Sequence, residues 1–362
     1  MMARSGYFDP NNAGSANLGT FDDPWTDVAT AEAGTAAGEE IWCKPGIYTI
    51  QMDVAKAGTD CLNKINWIAC TADGSRWATP SEIINDGVKV IIDCESTRAY
   101  GIKIPICCLF FWGFEVHNST QDGWLLDDSV NVNYLVDLYY CGAHNCSNIG
   151  FNGAAGNHRN SIVHGFRATN CDVGLNGPAV SIVRFSMAKN CTTKGLVGRT
   201  DAFIYNCFVV SCPTGIETGN NARLAHNSVY DASVGIKLGF YAASVEHHLE
   251  NCSVLALDHD SRPSNVSEGN SFFNNTANVG NLSLSKSGSN VGYYYLNELT
   301  KSKLLDPTNG NYMSDPANDE SRNIEYPIDS TNSAFLTTGI QPVEASGSDG
   351  RTVLIKKFYN ML

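Results

Sequence analysis

The chain has 362 residues, a formal charge of −13, a pI near 5.0 and only 17% charged side chains, with 33 glycines and 43% hydrophobic residues. Such an acidic balance excludes the clustered Lys and Arg that a nucleic-acid backbone or an anionic membrane surface requires. Few charges with abundant Asn, Ser, Thr and Gly exclude a helical bundle and predict sheets with a tight turn every few residues, while the hydrophobic content excludes disorder.

Residues 1–39 read as an N-terminal arm and capping helix. The opening MMARSGYFDPNNAGSANLGT has no continuous apolar stretch, which predicts neither a Sec signal peptide nor a membrane anchor. No run of 18 apolar residues occurs, and the nearest, Ile104 to Val116, carries Glu115. A helix is predicted near Thr26 to Ala37, then a strand running to Pro45, Gly46 and Tyr48. Residues 40–291 read as one solenoid. Asp93 and Cys94 belong to an early coil, CCLFFWGFEVHNSTQDGWLLDD from Cys107 is another, and VNYLVDLYYCGAHNCSNIGF from Val132 is the next. An insertion around Gly153 to His158 then separates Cys146 from Cys171.

Downstream, three columns keep one period of 20 or 21 residues. Cys171, Cys191, Cys212 and Cys252 form the first, with Ala232 in the gap. Asn170, Asn190 and Asn251 form the second, where Ser211 and Asp231 substitute. Gly174, Gly195, Gly215 and Gly235 form the third. Coils stacked ~4.8 Å apart place equivalent residues side chain on side chain. The Cys column is therefore expected inside as small apolar filler, the Asn column as an amide ladder in a turn, and the Gly column where φ must be positive. On that reading Gly215 tolerates substitution far less than Gly153. The 13 cysteines, an odd number with no CxxC, read as reduced thiols. The expected fold is all-β: a right-handed parallel β-helix with an N-terminal cap and an irregular C-terminal segment. That segment, residues 292–362, reads as capping or oligomerisation sequence. Within it LLDPTNGNYMSD is expected to close the helix, and GRTVLIKKFYNML either pairs with a neighbouring chain or covers the last coil.

Asp23, Pro24 and Trp25, the helix after them, and Pro45-Gly46-x-Tyr48 resemble the N-terminal entry of pectate-lyase-like right-handed β-helices. AHNSVYDASVGIKL from Ala225 is similar to that family's recurring turn signature. The resemblance covers roughly residues 20 to 290 and implies fold far more specifically than function, since lyases, hydrolases, epimerases, adhesins and phage tailspikes share the scaffold.

The family's catalytic signatures are not matched. Arg-x-Pro-x-x-Arg is absent, and neither Asn-x-Asp nor Arg-x-Lys sits where polygalacturonase-type hydrolysis would need it. The carboxylates available for catalysis are Asp122, Asp127 and Asp128, for which a solvated turn is the simpler account. His226 and His247, 21 residues apart, are expected to stack above Tyr205 as candidate metal ligands or, more simply, as a surface aromatic ladder. Glu217 and Lys237, 20 apart, are expected to form an ion pair between coils. No cofactor is implied. The leading expectation is a non-enzymatic structural or adhesive component of a bacteriophage virion: homotrimeric, bound to other virion proteins, with surface glycans as a further candidate partner and with no nucleic acid and no membrane. The alternative is a polysaccharide lyase or glycoside hydrolase of the pectate-lyase-like group.

Overall fold

The computed structural model describes residues 4–258 apart from 13–15, 61, 86–87, 128–134, 154–159 and 246, and beyond 258 isolated segments as far as Ser314. It is the expected right-handed parallel β-helix, of about nine turns. A 12-stranded sheet runs from Arg4–Phe8 along one side; a 19-stranded sheet holds the remaining solenoid strands. No described helix is long and apolar enough to cross a membrane.

The helix Val28–Ala33 is shorter than the sequence suggests. Asp27 caps it, accepting from Thr30 N, and Gly34 ends it. Ahead of the helix, Arg4–Phe8 pairs in parallel with Glu40–Cys43 and so begins the first sheet. Past the solenoid, Leu304–Asp306 pairs antiparallel with Asn311–Ser314. GRTVLIKKFYNML lies outside the described residues, as do most of the insertion around Gly153 to His158, Cys61 and Asp128.

The core follows from strand alternation. In the N-terminal half it is aromatic: Trp67, Phe111, Phe114, Trp124, Phe151 and Phe166 are fully buried. Phe111 meets Trp124 edge to face at 5.3 Å, and the Trp124 indole donates to Gly142 O at 2.8 Å. Further on, small residues replace the rings. Cys146, Cys171, Cys191, Cys212, Ala232 and Cys252 are all buried, and the 12 described cysteines are free thiols. An amide ladder forms, but upstream of the expected one: of the expected column only Asn170 is seen in it, its Nδ2 donating to Asn145 Oδ1 (3.0 Å), and Asn145 Nδ2 donates in turn to Asn118 Oδ1 (3.3 Å).

The glycine column is inside for a different reason than expected. The left-handed position belongs to the Asn column, where Asn118, Asn145, Asn170, Asn190, Ser211, Asp231 and Asn251 have φ between 51° and 57°. Asn tolerates that conformation better than most residues, because its side chain bonds locally. The glycines are needed for close approach instead. A Cβ on Gly215 would lie 2.4 Å from Gly235 O and 2.5 Å from Val229 Cγ1. Gly153 is crowded as well, its Cβ falling 2.6 Å from Pro178 Cδ, so the contrast with Gly215 disappears. Gly46 is the better control, since its Cβ would stand 3.3 Å from Tyr48 Cζ. Gly215→Ala should cost about 1–3 kcal/mol by overpacking, and urea unfolding should show Gly46→Ala costing clearly less. Equal losses would show that coil spacing does not depend on bare backbone at Gly215.

Candidate active site

Five successive strands of the second sheet, Val90–Asp93, Phe114–His117, Gly142–His144, Arg167–Thr169 and Met187–Lys189, pair in register. Val90, Ile92, Phe114, Val116, Ala143, Ala168 and Ala188 point into the core. The alternate residues therefore face outward in two rows. One row reads Ile91, Glu115, Gly142, Arg167, Met187; the other reads Asp93, His117, His144, Thr169, Lys189.

Glu115 is the centre of this face. Lys89 Nζ donates to its Oε1 at 2.8 Å, while His117 Nε2 and His144 Nε2 stand 3.2 and 3.5 Å from its Oε2. The imidazoles meet edge to face at 4.8 Å, and His144 Nδ1 bonds Thr169 Oγ1. Gly142 stands next to Glu115 in the outer row, where a Cβ would be tight only against Arg167 O, at 3.0 Å, and would touch Glu115 Cγ and His144 Nε2 at ordinary contact distances of 3.4 and 3.5 Å. Burial would raise the Glu115 carboxyl, but its bonds to His117 and His144 and the Lys89 charge outweigh it. They hold the group well below the usual carboxylate range. Asp93 shifts the same way: burial opposes it, yet the Glu95 N–H and Asn118 amide keep it low. Both carboxylates of this face are thus anions near neutrality. They orient or ligate, and neither is a proton donor.

The residues singled out from sequence sit elsewhere. Asp122 is buried and accepts from Asn148 Nδ2, Ile149 N and Asn152 Nδ2, which makes it the brace of a turn. Asp127 pairs with Lys103 at 2.8 Å, and Asp128 lies outside the described residues. His226 and His247 occupy different columns. His226 takes a left-handed turn position in line with Asn206 and Phe185, whereas His247 is buried one column on and accepts Asn227 N at 3.0 Å. Burial, with His226 nearby, lowers His247 to about 3. Glu217 pairs with Lys194 of the preceding coil at 2.9 Å, not with Lys237. The aromatic ladder lies on the outer face of the first sheet, where Trp112, Tyr139, His164, Arg184 and Tyr205 are in register.

No protein-family model and no curated protein matches the sequence. Solved structures do. Pectate lyase Pel9A superposes with a TM-score of 0.58 at 15% identity, over 95% of this chain and 92% of its own. The fold is the pectate-lyase-like β-helix. A rhamnogalacturonan lyase matches with a TM-score of 0.53 at 11% identity, over 88% of this chain and 94% of its own. A lacto-N-biosidase from Eubacterium ramulus matches at 0.51 and 9%, over 82% and 67%. These glycan-cleaving enzymes correct the expectation of a non-enzymatic virion component and favour the polysaccharide-degrading alternative. The physical reason for the misreading is plain: the coils from Phe166 onward, where the period is cleanest, contribute Arg167 and Lys189 but not Glu115, His117 and His144.

Proposed function

We propose that the protein cleaves a uronate-containing polysaccharide by β-elimination on the outer face built around Glu115. The observation that carries this is the juxtaposition of Glu115, His117 and His144 with Arg167 and Lys189 in the same two rows. Elimination needs a positive centre for the uronate carboxylate and a base for the C5 proton beside it. Removing that proton forms the C4–C5 double bond as the C4–O bond breaks, and the leaving oxygen takes up a proton. Arg167 matches a carboxylate as a planar two-pronged donor. His117, His144 and Lys189 are the groups lining the face from which the base comes. Hydrolysis is less well served, because it needs one carboxylic acid kept protonated, and Glu115 and Asp93 are both held ionised. An open strand face on stacked coils also suits an extended polymer. The structural neighbours that act on pectate and rhamnogalacturonan support the same class.

The test is to incubate the intact protein with a panel of uronate-containing and neutral polysaccharides, following unsaturated sugar by ultraviolet absorbance and reducing ends in parallel. Unsaturated product from uronate polymers alone is the expected result. Reducing ends without unsaturation would mean hydrolysis and overturn the elimination; no product from any polymer would overturn the enzymatic reading.

A further inference from the structure

We infer that Glu115, His117 and His144 form a seat for one divalent transition metal ion of the zinc class. One ligand atom from each lies within 4.8 Å of the other two. Glu115 Oε2 is 3.2 Å from His117 Nε2 and 3.5 Å from His144 Nε2. Ligands bound tetrahedrally at roughly 2.0–2.1 Å stand about 3.3 Å apart, so both carboxylate–imidazole separations already match the spacing an ion imposes, and the two imidazoles have only to close from within 4.8 Å.

The donor set selects the metal. Two imidazole nitrogens and one carboxylate oxygen suit zinc, cobalt, nickel or ferrous iron, whereas calcium and magnesium take six or more oxygens. The surroundings fit a ligand cluster. His144 Nδ1 is engaged by Thr169 Oγ1, which fixes the ring with Nε2 toward Glu115. Glu115 Oε1 is engaged by Lys89, which leaves Oε2 turned to the histidines. Such outer partners are how ligating side chains are usually oriented. All three ligands stand on strands of adjacent coils, so their separation is set by the ladder. The His117 and His144 side chains are 28% and 23% exposed against 7% for Glu115. The fourth coordination position therefore opens outward, toward the face that the polymer would occupy, as in three-ligand catalytic sites.

In the context of the elimination, and resting on that reading, the ion supplies the positive centre for the uronate carboxylate. The imidazoles are then committed as ligands, which leaves Lys189 as the base. The ligation itself does not depend on that reading, so the decisive measurement contains no glycan. Tag-free full-length protein, stripped with a chelator and dialysed, is titrated with Co(II) by visible absorption and with Zn(II) by calorimetry, with Ca(II) as the control. One ion per chain is expected, with a tetrahedral-type cobalt spectrum and no comparable Ca(II) binding. His144→Ala and Glu115→Gln should abolish the cobalt spectrum, and Thr169→Val should weaken binding about 10–100-fold. His226→Ala, remote from the cluster, should bind as the parent does. No stoichiometric binding, or binding unchanged in folded His117→Ala and His144→Ala proteins, would overturn the site. Metal binding without glycan cleavage would sink only the elimination; cleavage that survives complete removal of metal would sink only the ion's part in the elimination and leave the site to the titration.

Discussion

His144→Ala should lower the rate of polysaccharide cleavage by about 10²–10⁴-fold, the usual contribution of a positioned proton-transfer group. Loss of a metal ligand at the same position would be at least as damaging, so the direction holds for either role. Stability should move by no more than ~0.5 kcal/mol, because the side chain points outward and its neighbour Ala143 keeps the core contact. Thr169→Val removes the hydroxyl that bonds His144 Nδ1 and is expected to cost about 10–100-fold, as a positioning residue. Lys189→Met separates the roles. Full loss of cleavage with intact metal binding assigns it the base, while loss in His144→Ala alone returns that role to the imidazole. Glu217→Gln disturbs only a pair with Lys194 and serves as the unaffected control. An His144→Ala protein as active as its parent would move the active site off this face altogether.

The fold was legible because stacking forces identical residues into columns, and columns are visible wherever the period is regular. The inward Cys column and the Asn ladder both follow from that. The meaning of the Gly column was not legible: a glycine required by positive φ and one required by a carbonyl 2.4 Å from its missing Cβ look the same in sequence. The His226 and His247 columns failed for a related reason. A spacing of 21 occurs in this chain beside the commoner 20, and one residue of slip moves a side chain from the turn to the interior.

The Glu115 cluster was obscured by irregular coil length. Asn118 and Asn145 are 27 residues apart, yet they extend the left-handed Asn column upstream with the same φ values. Each is preceded by a histidine, His117 and His144. Aligning FEVHN beneath CGAHN would have placed both imidazoles on one outer row, with Glu115 two residues back on the same face. What no alignment shows is that the Glu115 carboxylate turns along the ladder to reach the second ring, 3.5 Å from His144 Nε2.

Acid should destabilise the fold well before its carboxylates titrate, because two buried histidines must unfold to accept a proton. Burial, reinforced by the Arg184 charge, lowers His164 from 6.5 to about 3; burial, reinforced by His226, does the same to His247. A folded pKa below the unfolded one means the unfolded chain binds more protons between the two values. The stabilisation is therefore complete above about pH 6.5 and is lost as pH falls toward about 3, by ~1.4 kcal/mol per pH unit per group. At pH 4.5 the two together should cost on the order of 5 kcal/mol, a large fraction of the stability of an ordinary domain. The lowered carboxyls of Glu115 and Glu82 add their own loss only below about 4.5, and Glu32, raised by burial, works in the opposite sense. Two substitutions isolate the histidines. His164 stacks on Tyr139 at 5.1 Å with both ring nitrogens buried and unbonded, so His164→Phe keeps the stack and removes the charge. His247 Nδ1 accepts Asn227 N just as Asn227 Oδ1 accepts Cys207 N one coil earlier, so His247→Asn keeps the acceptor with a residue the column already uses. Urea midpoints of the double variant should stay nearly level from pH 6.5 to 4.5 while those of the parent fall steeply. Parallel curves for the two proteins would show that neither histidine is buried in its neutral form.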